Sequence, residues 1–373
     1  MMIATRRALL GGFALLPLAG AAPALARPVL NRDERESQAN AALDAQFAAH
    51  APPAMVAAVV GKNGLIWSGA RGVRRAGFSE PATTDQLWHL GSNGKSMTAV
   101  LYARLVEQGR AKWGATLPEL FPGAAIDPAL QAVTIDDLLC HRSGLADQAL
   151  LTREVMMAGH TDTRSTRDQR VDFAAMALGK APTGTRAAFA YSNCGYILAG
   201  AAIERLVDRS WEETIKAEVF DPLGMGSVGH GAPQGDNPWG HRPTGDTLVP
   251  VDPARFADNP PPFGPAGRMH MTIADYGKFL GLYLTAGGGL LRPETITRLT
   301  TPPEGAPPPY AYGWGVQPGP RLAHDGSNTM WHATARVFPA RGVAVVSIAN
   351  HSGRGRTANP ALADALTAIY APG

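Results

Sequence analysis

The strand-like segments of this chain lie near its two ends, and helical segments fill the long stretch between them. Near the beginning, apolar runs at 54–60 and 65–70 flank Asn63-Gly64, a dipeptide typical of a hairpin turn. Three further strand-like segments lie near the end of the chain, at 312–316, 330–338 and 343–349. Both sets need a partner sheet, and the simplest solution pairs them with each other. We therefore predict an α+β fold in which one antiparallel sheet, built from both chain ends, is flanked by helices.

The same pattern predicts two domains. Residues 27–83 and 306–373 would form the sheet domain, and residues 84–305 would form a mostly helical domain inserted between them. Within this insertion, residues 226–267 are irregular and rich in glycine and proline. A structureless segment of this length inside a compact protein is usually functional or mobile, and ligand sites favour the seam between two such parts. We therefore expect a binding site between the sheet and the helical region.

Residues 1–26 have the features of an export signal. Arg6 and Arg7 precede an apolar run at 8–22, and residues 24–26 have the sequence Ala-Leu-Ala, which fits a signal-peptide cleavage site. The arginine pair also matches a twin-arginine signal. The apolar run is too short and too interrupted to favour a membrane span, although retention as an N-terminal anchor is the alternative. We expect a periplasmic or secreted protein with no membrane span after signal removal.

The composition argues against several classes of partner. The formal net charge of +3 falls to +1 when Arg6 and Arg7 are removed with the signal, and no basic run is interleaved with aromatic residues. We therefore expect no nucleic-acid partner. The sequence lacks paired His or Cys spacing and a glycine-rich phosphate loop, so we expect no metal and no cofactor. The two cysteines, Cys140 and Cys194, could form one disulfide in an oxidising compartment, but two buried free thiols are the favoured interpretation.

The segment around Ser92 has the features of a nucleophile at the start of a helix. Met97 and Leu101 have the spacing of a buried helix face, and Gly109 is a typical stop. Ser92 then lies at the helix N-terminus, with Lys95 about one turn later on the same face. A hydroxyl needs a base to become a good nucleophile, and lysine can be that base if burial and neighbouring positive charge lower its pKa. The helix end also offers N–H groups for an oxyanion.

Three short motifs occur in a fixed order at wide spacing: Ser92-x-x-Lys95, Tyr191-Ser192-Asn193 and His324-Asp325-Gly326. This order resembles the serine β-lactamase and penicillin-binding superfamily, in its branch of class C β-lactamases, D-Ala-D-Ala carboxypeptidases and carboxylesterases. Three flanking blocks are similar as well: L-L-x-H-x-S-G-L at 138–145, P-x-G at 182–184 and P-L-G-M at 222–225. The resemblance covers essentially the whole mature chain and implies a β-lactamase/transpeptidase-like fold.

The resemblance implies a role for each motif residue. Ser92 would be the nucleophile, and Lys95 with Tyr191 would remove its proton. A phenol with a pKa of about 10 is useful here only if the adjacent lysine favours the phenolate or if the phenol relays a proton. Asn193 has two donors and one acceptor, which suit it to hold Lys95 and a substrate carbonyl together. Without the resemblance, Tyr191 would be interpreted as a packed aromatic residue and Asn193 as a turn residue.

The third motif departs from the family pattern at its first residue. His324 stands where typical β-lactamases have lysine. Histidine supplies a donor with a switchable charge but a weaker fixed positive charge for a substrate carboxylate. Gly326 lacks a side chain and so lets a substrate approach the strand backbone, and the resemblance implies that the Ser327 N–H donates to the oxyanion opposite the Ser92 N–H. The histidine argues against β-lactamase activity and favours a peptidase or an esterase.

We therefore predict an exported serine hydrolase that forms an acyl-enzyme on Ser92 with amide or ester carbonyls, similar to a D-Ala-D-Ala carboxypeptidase or an esterase. A class C-type β-lactamase and a non-catalytic penicillin-binding-like sensor are the alternatives. The substrate would be a small molecule or a peptide, with a peptidoglycan stem peptide and a β-lactam among the candidates. Weaker candidates for the pocket lining lie in or beside the long irregular segment: Trp239, His241, Asn259, Arg268 and His270.

Overall fold

The computed structural model describes residues 30–304, 307–319 and 321–372, so the export signal predicted at residues 1–26 lies outside the described residues. The helices are α1 (Arg32–His50), α2 (Gly94–Glu107), α3 (Leu117–Leu120), α4 (Ile135–Leu139), α5 (Asp147–Leu150), α6 (Arg153–Thr161), α7 (Thr166–Leu178), α8 (Asn193–Val207), α9 (Trp211–Ile215), α10 (Gly264–Gly267), α11 (Ile273–Leu284), α12 (Pro293–Thr300) and α13 (Ser352–Tyr370). The strands are β1 (Ala54–Gly61), β2 (Gly64–Gly72), β3 (Trp88–His89), β4 (Gly229–His230), β5 (His241–Thr244), β6 (Thr247–Pro250), β7 (Met269–Met271), β8 (Tyr310–Ala311), β9 (Trp314–Gln317), β10 (Arg321–Ser327), β11 (His332–Phe338) and β12 (Val343–Ala349). Within these ranges, no helix combines the length and the apolar character needed to cross a bilayer.

The two ends of the described chain pair in one seven-stranded sheet with the order β2-β1-β12-β11-β10-β9-β8. Each adjacent pair is antiparallel, and β1 meets β12 from Met55 opposite Ala349 to Gly61 opposite Val343. The predicted α+β fold, with a sheet built from both chain ends, is therefore confirmed.

The predicted strand at 312–316 is wrong at its start, because its first two residues form a turn between two shorter strands. Strand β8 ends at Ala311 and β9 begins at Trp314, and the two strands pair antiparallel. Between them, Tyr312 and Gly313 have φ angles of 45° and 98°. These left-handed conformations reverse the chain within two residues, and Tyr312 is not a residue type that signals such a turn.

Both faces of β1 are covered, which explains its continuous apolar sequence. All eight residues of the strand are buried. Side chains alternate between the two faces of a strand. One face, with Val56 and Val60, joins the core shared with the helical middle of the chain, and the other, with Met55 and Val59, packs with residues of α1 and α13. The sheet is thus a middle layer between two helical layers.

A smaller sheet connects the long irregular segment to the residues just before Ser92. Among the described residues this sheet has three strands in the order β3-β7-β4, and β4 lies within 226–267. The Leu90 N–H donates to Met269 O at 3.0 Å and continues this connection to the start of the Ser92 turn. Residues 226–267, predicted as irregular, also contain the β5–β6 hairpin. The boundaries of the two proposed domains stay a prediction.

A buried ion cluster joins three helices of the middle region. The Arg170 guanidinium on α7 donates to Glu204 Oε1 of α8 at 2.6 and 3.1 Å. It also donates to the Glu212 carboxylate of α9 at 2.5 and 3.0 Å. The side chains of Arg170 and Glu204 are only 0% and 2% exposed. Losing the arginine would leave two carboxylates in a poorly hydrated interior without a cation.

We predict that Arg170→Leu lowers the free energy of unfolding by about 3–5 kcal/mol, because it leaves the buried Glu204 and the partly buried Glu212 carboxylates without their cation. Urea unfolding followed by circular dichroism measures the change. The matched control is Arg167→Leu on the same helix, which removes an exposed pair with Asp208 and should cost less than about 1 kcal/mol. Equal losses from the two variants would contradict the role assigned to the buried cluster.

Candidate active site

Backbone segments from distant parts of the chain meet around Ser92. Ser92 lies in a short 3-10 turn that leads into α2 and packs directly against β10. A Cβ atom on Gly326 would lie 2.3 Å from Leu90 O and 2.8 Å from Ser92 N. A Cβ atom on Gly91, whose φ is 53°, would lie 2.4 Å from Ser327 N. Glycine at both positions therefore permits a contact that brings the backbone amides of Ser92 and Ser327 close together.

Lys95 is completely buried beneath Ser92. Its Nζ lies 3.0 Å from Ser92 Oγ, 2.7 Å from Asn193 Oδ1 and 2.6 Å from Ala266 O. Burial lowers the pKa of Lys95 to about 7, against the opposing effect of the negative charge on Asp147. A substantial fraction of the lysine is therefore neutral near pH 7.

The neutral form of Lys95 matches the three neighbours of its Nζ. A neutral amine has two N–H donors and one lone pair. The two carbonyl oxygens, on Asn193 and Ala266, can only accept, so the donors are directed to them. The lone pair is then left for Ser92, whose hydroxyl donates to it across the 3.0 Å contact. This arrangement is that of a general base in contact with its nucleophile.

Tyr191 lines the other side of Ser92. Its ring centroid is 4.9 Å from Lys95 Nζ, and 41% of the residue is exposed. Desolvation raises the pKa of Tyr191 above its ordinary value, although a hydrogen bond with the Ser92 side chain partly opposes that rise. The phenol therefore keeps its proton near neutral pH. This protonation state suits Tyr191 to relay a proton, and it leaves the base role to Lys95.

Asp147 organises the start of α8, which carries the second motif. Its carboxylate accepts from the backbone N–H groups of Asn193 and Cys194, both at 3.0 Å. It also accepts from Asn193 Nδ2 at 2.8 Å and from Ser192 Oγ at 3.2 Å. A carboxylate is favoured at a helix N-terminus, where free N–H groups and the helix dipole meet. Because its Nδ2 faces Asp147, the Asn193 amide directs its Oδ1 to Lys95.

The imidazole of His141 packs against the ring of Tyr191. Its Nδ1 accepts from the Ser192 N–H at 3.1 Å, and its ring centroid lies 4.2 Å from that of Tyr191. Burial lowers the pKa of His141 well below its ordinary value, so the ring is neutral. His141 lies inside the block at 138–145 that resembles the family and Asp147 lies two residues after it, but the sequence assigns neither a role in the site.

His324 is buried at the edge of the site and carries no fixed charge. Its Nδ1 donates to Gly313 O, and its ring lies within 6.5 Å, centroid to centroid, of the rings of Tyr191, Tyr310 and Trp314. Burial lowers the pKa of His324 to about 4, so the imidazole is neutral at pH 7. The position that holds lysine in typical β-lactamases is therefore uncharged here.

Ser327 contributes its backbone rather than its hydroxyl. The Ser327 Oγ donates to Trp331 O at 2.8 Å and lies 2.8 Å from Ser352 Oγ at the start of α13. The neighbouring Asp325 accepts from Thr334 and Arg336 on the next strand. These side chains are thus engaged with the sheet and with α13, and the Ser327 amide remains the group near Ser92.

The weaker candidates are mostly engaged elsewhere. His241 Nε2 accepts from the Ala76 N–H, and His270 Nδ1 donates to Gly231 O. The Trp239 indole donates to a loop carbonyl, and Asn259 hydrogen-bonds through its backbone N–H to the adjacent Asp258. Cys140 and Cys194 are both buried and unpaired. In the part of the chain that the structure describes, no group of three His, Cys, Asp or Glu side chains is arranged to hold a metal ion.

Comparison with known proteins gives consistent results. Residues 39–368 match the model of the family described as beta-lactamase. Penicillin-binding protein 4 of Amycolatopsis lactamdurans is 28% identical over 323 residues, which cover 81% of each chain. The octameric penicillin-binding protein homologue from Pyrococcus abyssi has a TM-score of 0.73 and 24% identity, covering 89% of this chain and 76% of that one. EstCE1, a hydrolase with promiscuous acyltransferase activity, has a TM-score of 0.74 and 16% identity, covering 91% of this chain and 99% of that one. The Pyrococcus abyssi protein and EstCE1 therefore share the fold of this chain.

We predict that the rate of Ser92 acylation by an uncharged activated ester rises as the pH rises through about 7. Below the pKa of Lys95, about 7, the ammonium cannot accept the Ser92 proton, so the rate falls about tenfold for each pH unit. His324, with a pKa of about 4, does not titrate in the measured range. Values of kcat/KM between pH 5 and 9 test this, and a flat profile would exclude Lys95 as the base. The control variant Lys95→Arg stays protonated and should lose on the order of 10²–10⁴ in rate.

We also predict that Gly326→Ala lowers kcat on the order of 10²-fold, because its Cβ would collide with Leu90 O and displace β10 from the Ser92 turn. Ester hydrolysis and a thermal melt measure the two effects. Gly281→Ala is the matched control, since a Cβ there meets no atom within 4 Å. It lies in α11 and should stabilise the protein slightly without changing kcat. Wild-type kcat in Gly326→Ala would contradict the close backbone contact.

Proposed function

We propose that this chain, which belongs to the beta-lactamase family, is a serine hydrolase that cleaves uncharged esters and amides through an acyl-enzyme on Ser92. The family match and the similarity to a penicillin-binding protein over 81% of each chain support the general class of serine hydrolase. The preference for uncharged substrates rests on one observation, the neutral His324.

The proposed reaction uses the contacts around Ser92 in sequence. Neutral Lys95 takes the hydroxyl proton as Ser92 Oγ attacks the carbonyl carbon, and the backbone N–H groups of Ser92 and Ser327 stabilise the oxyanion. The bond to the leaving group then breaks. Tyr191 donates its proton to the departing oxygen or nitrogen and recovers it from the Lys95 ammonium. Water attacks the acyl-enzyme by the same path in reverse order, and releases the acid and the free serine.

The electrostatics around His324 support the substrate preference. A substrate carboxylate bound beside this strand would lose its hydration and would need a cation in return. The neutral imidazole offers none at pH 7, and the surrounding groups are the aromatic rings of Tyr191, Tyr310 and Trp314. Arg336 on the neighbouring strand is paired with Asp325. An uncharged ester or amide binds in such surroundings without that electrostatic cost.

One observation favours a second candidate, reaction with β-lactams or D-Ala-D-Ala peptides. The relative with 28% identity is a penicillin-binding protein, and the similarity covers 81% of both chains. A non-catalytic sensor, in contrast, is disfavoured by Lys95, which contacts Ser92 directly. The export signal expected at residues 1–26 supports a periplasmic or secreted site of action, where either class of substrate would be met.

We predict that kcat/KM for a short-chain p-nitrophenyl ester exceeds, by about tenfold or more, the values for a D-Ala-D-Ala peptide and a chromogenic cephalosporin, because both carry a carboxylate. Ser92→Ala should lose on the order of 10³-fold or more on the ester. The matched variant His324→Lys restores a cation and should raise the relative rate on the two carboxylate substrates. Faster cleavage of the D-Ala-D-Ala peptide by the wild type would favour the second candidate. Full turnover by Ser92→Ala would refute the assignment of the nucleophile.

A further inference from the structure

Asp258, in the long irregular segment, is a buried carboxylate that the proposed reaction does not use. Its side chain is 4% exposed. It accepts from His89 Nε2 and from Asn328 Nδ2, both at 2.8 Å, and Arg268 Nε lies 3.6 Å away. Burial alone would raise the pKa of Asp258, but the contacts with His89 and Arg268 outweigh it and hold the pKa below its ordinary value. Asp258 is therefore ionised inside the protein.

On one side, Asp258 determines which nitrogen of His89 carries the proton. Because a carboxylate only accepts, the His89 Nε2 must donate to it. The Gly91 N–H donates to His89 Nδ1 at 3.0 Å, so this nitrogen is an acceptor and carries no proton. The ring is held in place by stacking on Trp331, with centroids 5.4 Å apart. This chain of contacts ends at Gly91, the residue directly before Ser92, whose N–H is the first oxyanion donor.

On the other side, Asp258 holds the turn that follows β10. Asn328 comes directly after Ser327, and its Nδ2 donates to Asp258 Oδ1 and to Ala257 O. This fixes the direction of the amide, whose Oδ1 accepts from the N–H groups of Met330 and Trp331, both at 3.1 Å. The second oxyanion donor, the Ser327 amide, is therefore attached to a turn that the same carboxylate holds.

We infer that Asp258 is a positioning residue for the oxyanion hole, because through His89 and Asn328 it fixes both segments that carry the donor amides. The inference rests on the proposed function of Ser92. One carboxylate that accepts from both donors, with one donor on each oxygen, keeps the Ser92 turn and the end of β10 in a constant relation. Donors that are fixed before the reaction cost no reorganisation when negative charge develops on the carbonyl oxygen.

The test is Asp258→Asn, which keeps the size of the side chain and removes one acceptor. If the new NH2 group faces His89, the imidazole proton moves to Nδ1 and meets the Gly91 N–H. If it faces Asn328, two NH2 groups oppose each other. We expect kcat for an uncharged ester to fall on the order of 10²-fold, while KM changes by less than about threefold. The affinity for an arylboronic acid, whose serine adduct places an oxygen at the oxyanion position, should fall in parallel.

The matched control is Glu204→Gln, because Glu204 is also buried and paired with an arginine but belongs to the distant α7–α9 cluster. It should lower the melting temperature and leave kcat and boronate affinity within about twofold of the wild type. Asp258→Asn with wild-type kcat and boronate affinity would overturn the inference. A loss that Glu204→Gln reproduces, or a loss confined to KM, would overturn it as well.

Two His89 variants decide the matter if Asp258→Asn does not fold. Glutamine can place an N–H where His89 Nε2 lies but offers no acceptor to Gly91. Asparagine can place an oxygen where Nδ1 lies but does not reach Asp258. We expect kcat to fall in both variants, because each breaks one of the two links that join Asp258 to Gly91. Wild-type kcat in His89→Asn, which loses the link to Asp258, would overturn the inference.

Hydrogen exchange gives a readout that does not depend on turnover. Amides in residues 90–94 and 326–331 should exchange faster in Asp258→Asn, or in His89→Gln, and not in Glu204→Gln. Faster exchange together with full turnover by Ser92→Ala would refute the proposed function and leave the positioning role standing. Unchanged exchange in these segments would overturn the positioning role.

Discussion

The site depends on a contact between backbones that leaves no room for side-chain atoms. The Ser92 turn and β10 approach closely at Gly91 and Gly326, and Gly267 makes a third such contact, since a Cβ there would lie 2.6 Å from Gly91 O. A contact this close is maintained only if both partners are rigidly held. Strand β10 is held by β11, β12 and β1 in turn, so the pairing of the two chain ends keeps the Ser327 amide near Ser92.

Two carboxylates, one half-buried and one buried, hold segments of the site outside the large sheet. Asp147 binds the first N–H groups of α8 and so fixes Asn193 against Lys95. Asp258 binds His89 and Asn328, on either side of the backbone contact. Asp147 accepts from backbone and side-chain N–H groups at the start of α8, and Asp258 accepts from the N–H groups of His89 and Asn328, so these hydrogen bonds have definite directions. A flexible ammonium partner would neutralise the charge without fixing those directions.

The sheet and the Ser92–Lys95 pair leave local signals in the sequence, whereas the roles of Tyr191, Asn193, His324 and Ser327 follow only from the family resemblance. Strand periodicity at the two chain ends indicates the sheet, and the spacing of Ser92 and Lys95 places them on one helix face. Asp147 and Asp258 leave no such signal, because their partners Asn193 and His89 are 46 and 169 residues away. From the sequence alone, an acidic residue in a loop cannot be distinguished from the many exposed ones, because its partner is known only once the chain has folded.

The base strength of Lys95 depends on the exclusion of water. A lysine can act as the base only if burial or neighbouring positive charge lowers its pKa, and here burial is the cause, while Asp147 opposes it. The neighbouring histidines, His141 and His324, are neutral because burial lowers their own pKa values. The rings of Tyr191 and Tyr196, 4.9 and 5.4 Å from Lys95 Nζ, occupy space that water would otherwise fill.

This dependence links packing to chemistry. Desolvation disfavours the charged form of a lysine, so any opening of the aromatic wall that hydrates Nζ moves its pKa back toward the ordinary value. The proton path from Ser92 would stay intact, but less of the lysine would be neutral at a given pH. The aromatic residues beside Lys95 therefore influence catalysis through the water they exclude, without touching the proton that moves.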